Sequence, residues 1–216
     1  MRTVTQQFTR SIKRSSRFHR SIAATAFLAV FASTAASVAR GAEPVGEVQD
    51  LRGEASADAM QQHRALDKNS PVYVGDRIST GPASRLTMHL GTDTTVQLGE
   101  KTQLVIDQFL PETGGQISLE SGPMLFDRPA GTRRIPMQIR SAYALIAVRG
   151  TQFFAGPSNG VFGVFVESGT LEVSGAGTTV TLSAGQGTNL QNPGAAPTSP
   201  VNWGQPRIDA AYQSVR

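Results

Sequence analysis

The sequence predicts an all-β body, and three observations carry that prediction. Apolar residues recur at every second position in short runs between Val45 and Leu190. Turn-forming clusters break those runs roughly every ten residues, the spacing of sandwiches and barrels. No segment of that span shows a helical period over ten residues. The expected architecture is a twisted antiparallel β-sandwich or β-solenoid-like stack of about a dozen short strands. An N-terminal signal helix is expected before it, and after it a C-terminal tail that is either a short helix or unstructured.

The elements follow in order. Residues 1–39 open with the basic run "RSIKRSSRFHR" and continue into the alanine-rich apolar run "SIAATAFLAVFASTAASVA". A positive segment before a short apolar helix is the layout of a secretory signal peptide. Small residues at Ser37 and Ala39 place the cut after Ala39, with Gly41 the second choice. The alternative is an uncleaved anchor, because the apolar run is about as long as the shortest membrane span, roughly 18 residues. Either way the body is expected outside the inner membrane, in a periplasm.

Residues 40–190 form the predicted all-β domain. "RLTMHL" places Leu86, Met88 and Leu90 on one face, "TTVQL" offers Val96 and Leu98, and "TQLVI" offers Leu104 and Ile106. Ile117 and Leu119, Met124 and Phe126, then Ile135, Met137 and Ile139 continue the pattern. Ala144, Ile146, Val148 and Phe153 follow, then Phe162, Val164 and Val166, then Leu171 and Val173, and last Val180 and Leu182. In "RALDKNSPVYVGDRI" the alternation lapses, and Leu66 and the pair Val72, Val74 flank a loop. Residues 191–200, "QNPGAAPTSP", read as a proline-rich linker. In 201–216, Ile208, Ala211, Tyr212 and Val215 fall at helical spacing, with Trp203 placed to anchor that helix to the body.

Composition narrows the function. The 216 residues suit one domain of ordinary size with tails. Without cysteine there is no disulfide framework, zinc–thiolate site, thiol nucleophile or lipidated N-terminal cysteine. Six of the 20 Lys and Arg residues lie in 1–39 with no acid, so the remainder carries fourteen bases against sixteen acids. A body that is mildly acidic and lacks a basic patch is not a nucleic-acid surface.

The ordered motifs resemble the FecR-domain family. "SPVYVGDRISTGPASRLTMHLGTDTTVQLGEKTQLVI" resembles its opening, "SAYALIAVRGTQF" its central signature, and "VFVESGTLEV" with "LSAGQG" its closing elements. The resemblance spans about residues 45–190; the turn at Gly91–Thr94 departs from the usual pattern. It implies structural signature roles for Gly75, Asp76, Thr80, Gly81, Val148, Arg149, Gly150, Thr151, Glu167, Gly169, Gly185 and Gln186. It also implies a part in envelope signalling. Only some twenty residues precede the apolar run, too few to bury the core of an intracellular sigma-regulating domain.

Arg149 is the one charge in the apolar stretch Ser141–Gly156. Its expected role is structural, with Glu167 the preferred partner ahead of Asp76 and Asp93, since an unpaired buried charge is costly. Anion or ligand capture is the functional alternative. "GPSNG", residues 156–160, matches a nucleophile-elbow pattern, but no histidine follows it and Asn159–Gly160 spells a hairpin turn. His63 and His89 lack metal-ligand spacing, and both are expected at the surface. "GAGTTV" and "GQGTNL" lack the last glycine of a phosphate loop. No catalytic residue, metal or cofactor is expected.

Tyr73, Tyr143, Phe109, Phe154 and Phe165 fall off the alternating core pattern. Exposed together they would make a sugar or protein contact surface; otherwise they form a second buried layer. The expected function is that of an exported, non-enzymatic interaction module whose partner is an envelope protein or a cell-wall glycan. The alternative is a protein acting on envelope carbohydrate, which as an enzyme needs two carboxylates about 5–10 Å apart.

Overall fold

The computed structural model describes residues 43–59, 62–110, 113–129 and 136–216. The predicted signal segment 1–39 and Ile135 lie outside the described residues. The body is all-β, as the alternation predicts, with two open nine-stranded sheets and one short helix.

The chain weaves between the two sheets. β1 (Gly46–Arg52) lies in the first sheet; β2 (Ala55–Ala59) and β3 (Gln62–Ala65) form a hairpin in the second. β4 (Pro71–Val72) returns to the first sheet and β5 (Arg77–Thr80) to the second. Hairpins then alternate: β6 (Arg85–Leu90) with β7 (Thr94–Leu98) in the first, β8 (Gln103–Leu110) with β9 (Gly114–Ser121) in the second. β10 (Met124–Asp127) crosses alone to the first sheet, and β11 (Met137–Ser141) and β12 (Leu145–Val148) return to the second. β13 (Gln152–Ser158) with β14 (Val161–Ser168), β15 (Thr170–Gly175) with β16 (Thr178–Ser183), and β17 (Gln186–Leu190) with β18 (Val201–Asn202) complete the alternation. The first sheet runs β18-β17-β14-β13-β10-β7-β6-β1-β4, and the second β16-β15-β12-β11-β9-β8-β5-β2-β3.

This winding is both a sandwich and a solenoid-like stack. It places hairpin after hairpin along two facing sheets, so most sequence neighbours pair antiparallel. Among the described strands, only β9 and β11 pair in parallel. The reason is the single strand between them: β10 crosses to the other sheet, so the chain re-enters the second sheet running the same way. The strands number eighteen rather than a dozen. The excess comes from the two-residue strands β4 and β18 and from β1–β3, whose polar sequences hide their alternation. β1 also carries a bulge between Val48 and Asp50, which breaks its period of two.

The main core fills the space between the sheets. Every apolar residue assigned by alternation from Leu86 to Leu182 and described here is buried, except Val180, which is half-buried at the end of the sandwich. Phe126 and Phe153 sit side by side on β10 and β13, ring centroids 5.3 Å apart. A second, smaller cluster lies on the outer face of the first sheet: Leu125, Phe154 and Phe165 beneath Trp203, Ala211 and Val215. There β10, β13 and β14 are buried on both faces, which explains their nearly unbroken apolar runs. The covering element is α1 (Gln205–Gln213), the helix expected at the C-terminus.

Candidate functional site

The signature residues gather at the corners where the chain crosses between sheets. Gly75 and Asp76 end the crossing from β4 to β5. The Asp76 side chain is fully buried. Its Oδ2 accepts from the Tyr73 amide at 2.9 Å and from Arg64 Nη2 at 2.6 Å. Arg64 also donates to the Pro71 carbonyl and lies over the Tyr73 ring, so one guanidinium closes the whole turn. Thr80 performs the same task with a neutral group. Its hydroxyl donates to the Gly99 carbonyl at 2.6 Å and accepts from the Thr102 amide at 2.9 Å. The Gly81 amide donates to the Glu54 carbonyl.

The second corner follows β12. Val148 points into the core, and the next residue, Arg149, points outward and is exposed. The expected Arg149–Glu167 pair is not formed, and Arg149 makes no ion pair with any described residue. Strand alternation explains this: Leu145, Ala147 and Arg149 occupy the outer face of the second sheet, so the apolar context did not mean burial. Gly150 (φ +71°) then turns the chain, and Thr151, buried, donates to the Thr170 carbonyl at 2.9 Å. Gly169 (φ +87°) packs beneath: a Cβ there would meet the Gly150 carbonyl oxygen at 2.7 Å. At the last corner the Gly185 amide donates to the Val166 carbonyl, and Gln186 Oε1 accepts from the Ser183 amide at 3.0 Å.

Beside Arg149 a groove of about 570 Å³ crosses the outer face of the second sheet. Its floor is the cross-strand row Gln138, Ala147, Glu172 and Thr181, with Thr170 at the side. Glu172 is the one acidic residue among its described lining, so no pair of carboxylates occurs among the described residues of the groove. "GPSNG" forms the β13–β14 hairpin, with Asn159 (φ 53°) and Gly160 (φ 78°) as a two-residue turn. Ser158 Oγ accepts from Arg207 Nε at 3.0 Å. His63 Nδ1 lies 2.7 Å from Asp58 Oδ1, and His89 Nδ1 lies 3.2 Å from Thr95 Oγ1. No group of three metal-ligating side chains occurs among the described residues.

The aromatic residues off the core pattern do not form an open platform. Phe109 is in the main core, Tyr143 stacks on Phe162 at 4.6 Å, and Tyr73 lies under Arg64. Phe154 and Phe165 form the second buried layer under the C-terminal segment. Trp203 is the centre of that clasp. Its ring stacks on Phe165 at 5.1 Å and fits a slot whose floor is Gly163 and Gly187. The Arg207 guanidinium covers the ring at 3.6 Å and holds Asn189 Oδ1 at 2.7 Å. Arg85 donates to the carbonyls of Gln213 and Arg216, and the Tyr212 hydroxyl donates to the Glu167 carboxylate. Burial first, and then that bond, raise the Tyr212 pKa. Burial, with Glu167 nearby, also raises the Asp127 carboxyl above its ordinary range. Sequence spacing pointed to the helix and to Trp203 as its anchor. The two glycines that make the slot had no signal short of the partner that fills it.

Fold and corners together define a two-sheet β-domain whose crossings are tied by side-chain bonds. Residues 76–186 match the family model described as FecR protein, slightly more than half the chain. The chain belongs to the FecR family. No curated protein matches it. Two crystal structures of a candidate anti-sigma factor from Parabacteroides distasonis are similar in fold, with TM-scores of 0.52 and 0.51 at 18% identity. The match covers 63% of this chain and 64% of that chain, so this chain spans somewhat under two thirds of that protein. No helix among the described residues is long and apolar enough to cross a membrane.

Proposed function

We propose that the protein is an exported FecR-domain interaction module that works in the periplasm by contacting an envelope protein, and so contributes to envelope signalling without catalysing a reaction. The observation that carries this reading is the FecR domain itself, matched over residues 76–186. The basic-then-apolar leader of residues 1–39 supports export. Asp76, Thr80, Thr151 and Gln186 hold backbone turns closed, which leaves the exposed Arg149 beside its groove as the signature side chain open to a partner. The carbohydrate alternative draws on exposed rings, whereas Phe109, Phe154 and Phe165 are buried, and Tyr143 and Tyr73 are half-buried against Phe162 and Arg64. In-cell crosslinking followed by purification of the protein from a periplasmic extract tests the proposal. Recovery of one envelope protein in stoichiometric yield is the expected result. Recovery of glycan fragments alone, or a hydrolytic activity lost on replacing one carboxylate, would refute it. N-terminal sequencing of the same material should begin at Arg40; an intact Met1 in the membrane fraction would mean an anchored protein.

A further inference from the structure

The four sheet edges are not alike. An edge strand offers unpaired amides and carbonyls, and proteins guard such strands with short length, charge, proline or a bulge. The first sheet ends on β4 and β18, two residues each, and β4 begins with Pro71. The second sheet ends at one side on β3, which carries His63 and Arg64, both tied to carboxylates. Its other side ends on β16, "TTVTLS", six residues with no charge and no proline. β16 pairs with β15 through six consecutive residues with no register shift. It is the regular, unguarded edge among the described strands.

Which backbone groups of β16 face outward follows from alternation. The Ser183 amide donates to the side chain of Gln186. Amides two and four residues away point the same way, so those of Thr181 and Thr179 face the free edge. Side chains alternate across the other axis. Val180 and Leu182 face the core, and Val180 remains half-buried because no described strand extends the sheet beyond β16. Thr179, Thr181 and Ser183 are exposed.

We infer that β16 is a dimer interface at which a second copy of this chain adds its own β16 antiparallel, about a two-fold axis through Val180. An isologous contact requires the edge to complement itself. In this register Val180 faces Val180 of the second copy, Thr178 faces Leu182, and Thr179 faces Thr181. Apolar side chains therefore meet apolar side chains or threonine methyls on the core face. Threonine pairs, favourable across strands, meet on the outer face. The Thr179 and Thr181 amides and carbonyls form the inter-chain bonds, and Val180 completes its burial. No charge opposes itself. The two Glu172 carboxylates, on β15 opposite Thr181, lie three strand spacings and two residues apart at ~16 Å, beyond the ~8 Å screening length of physiological salt. This inference stands independently of the functional reading above.

The absence of cysteine makes the register directly testable. In the proposed pairing Val180 meets itself at a non-hydrogen-bonded position with Cα atoms ~4.5 Å apart, within disulfide reach. The purified protein should show a concentration-dependent monomer–dimer equilibrium by analytical ultracentrifugation. Val180→Cys should oxidise to a covalent dimer. Thr179→Cys, offset from its own copy by two residues at ~7–8 Å, should form at least about tenfold less. Thr181→Pro removes one outward amide per protomer without touching the bonds to β15. It should keep the wild-type melting temperature and weaken the dimer about thirtyfold. Should Thr181→Pro lower the melting temperature, Val180→Lys, which opposes two like charges on the axis, gives the same reading through loss of the dimer. A strictly monomeric protein at all concentrations overturns the inference. So does a dimer indifferent to both substitutions, or equal crosslinking of the two cysteine variants.

Discussion

Replacing Gly187 by alanine should release the C-terminal clasp while leaving the sandwich folded. A Cβ on Gly187 would stand 2.3 Å from Trp203 Nε1, 2.5 Å from Cε2 and 2.7 Å from the Val164 carbonyl oxygen. The strain therefore falls first on the clasp and then on the β14–β17 pairing beneath it, which lies at the end of the first sheet. Carbon contacts settle near 3.5 Å, so the indole must retreat by ~1 Å. It has nowhere to go. Gly163 floors the far end of the ring, where a Cβ would lie 2.8 Å from Cη2; Phe165 stacks on the ring, and Arg207 covers it at 3.6 Å. Overpacking of this kind costs about 1–3 kcal/mol, which lowers the ratio of docked to undocked clasp roughly 5- to 150-fold. The clasp has little in reserve. Its helix is nine residues long, begins at Gly204 with no side-chain cap, and carries no acid in its first turn. A helix so short does not persist in water without its docking surface. Trp203 is the only tryptophan of the chain, so its emission reports the clasp directly. Gly187→Ala should shift emission to the red and increase acrylamide quenching, while far-UV circular dichroism still shows cooperative melting of the sheets. Gly204→Ala, where the nearest atom to a new Cβ is 3.9 Å away, is the control. Wild-type emission and quenching in Gly187→Ala would refute the reasoning.

Three further outcomes follow from the corners. Arg64→Ala strands the fully buried Asp76 carboxylate and should cost about 3 kcal/mol in urea unfolding. Adding Asp76→Asn should restore most of it, and a single-mutant loss under ~0.5 kcal/mol would show the pair to be an ordinary surface contact. Arg149→Ala, at an exposed position without an ion pair among the described residues, should change the unfolding free energy by less than ~0.5 kcal/mol; a larger loss would mean that it does have a structural partner. Asp127 has a folded pKa raised above its ordinary 3.8, so its ionisation opposes folding. Its contribution should improve as pH falls from neutral through the raised value, and level off near the ordinary one. Asp127→Asn should therefore stabilise the protein at neutral pH and flatten that part of the pH profile of urea unfolding; an unchanged profile would refute the assignment.

The alternation in the sequence was enough to assign the core, because a residue's face on a strand depends only on its parity. Leu86 to Leu98, Ile139 to Val148 and Leu171 to Leu182 all landed where a period of two puts them, and the turn residues between them mark the strand ends. The signature motifs were legible for the same local reason: Asp76 caps an amide three residues away, and Gly150 and Gly169 supply the backbone angles their turns need. Parity does not say what lies beyond a face. Arg149 looked buried because its neighbours are apolar, yet those neighbours line an open groove; parity left Phe154 and Phe165 between an exposed contact surface and a second buried layer, and α1 with Trp203 makes them the latter. Which sheet receives each hairpin, why β9 and β11 run parallel, and why Gly163 and Gly187 have no side chain were decided by contacts between residues far apart in the chain. Local chemistry sets the turns and faces; only the meeting of distant surfaces decides which of those faces is left to water.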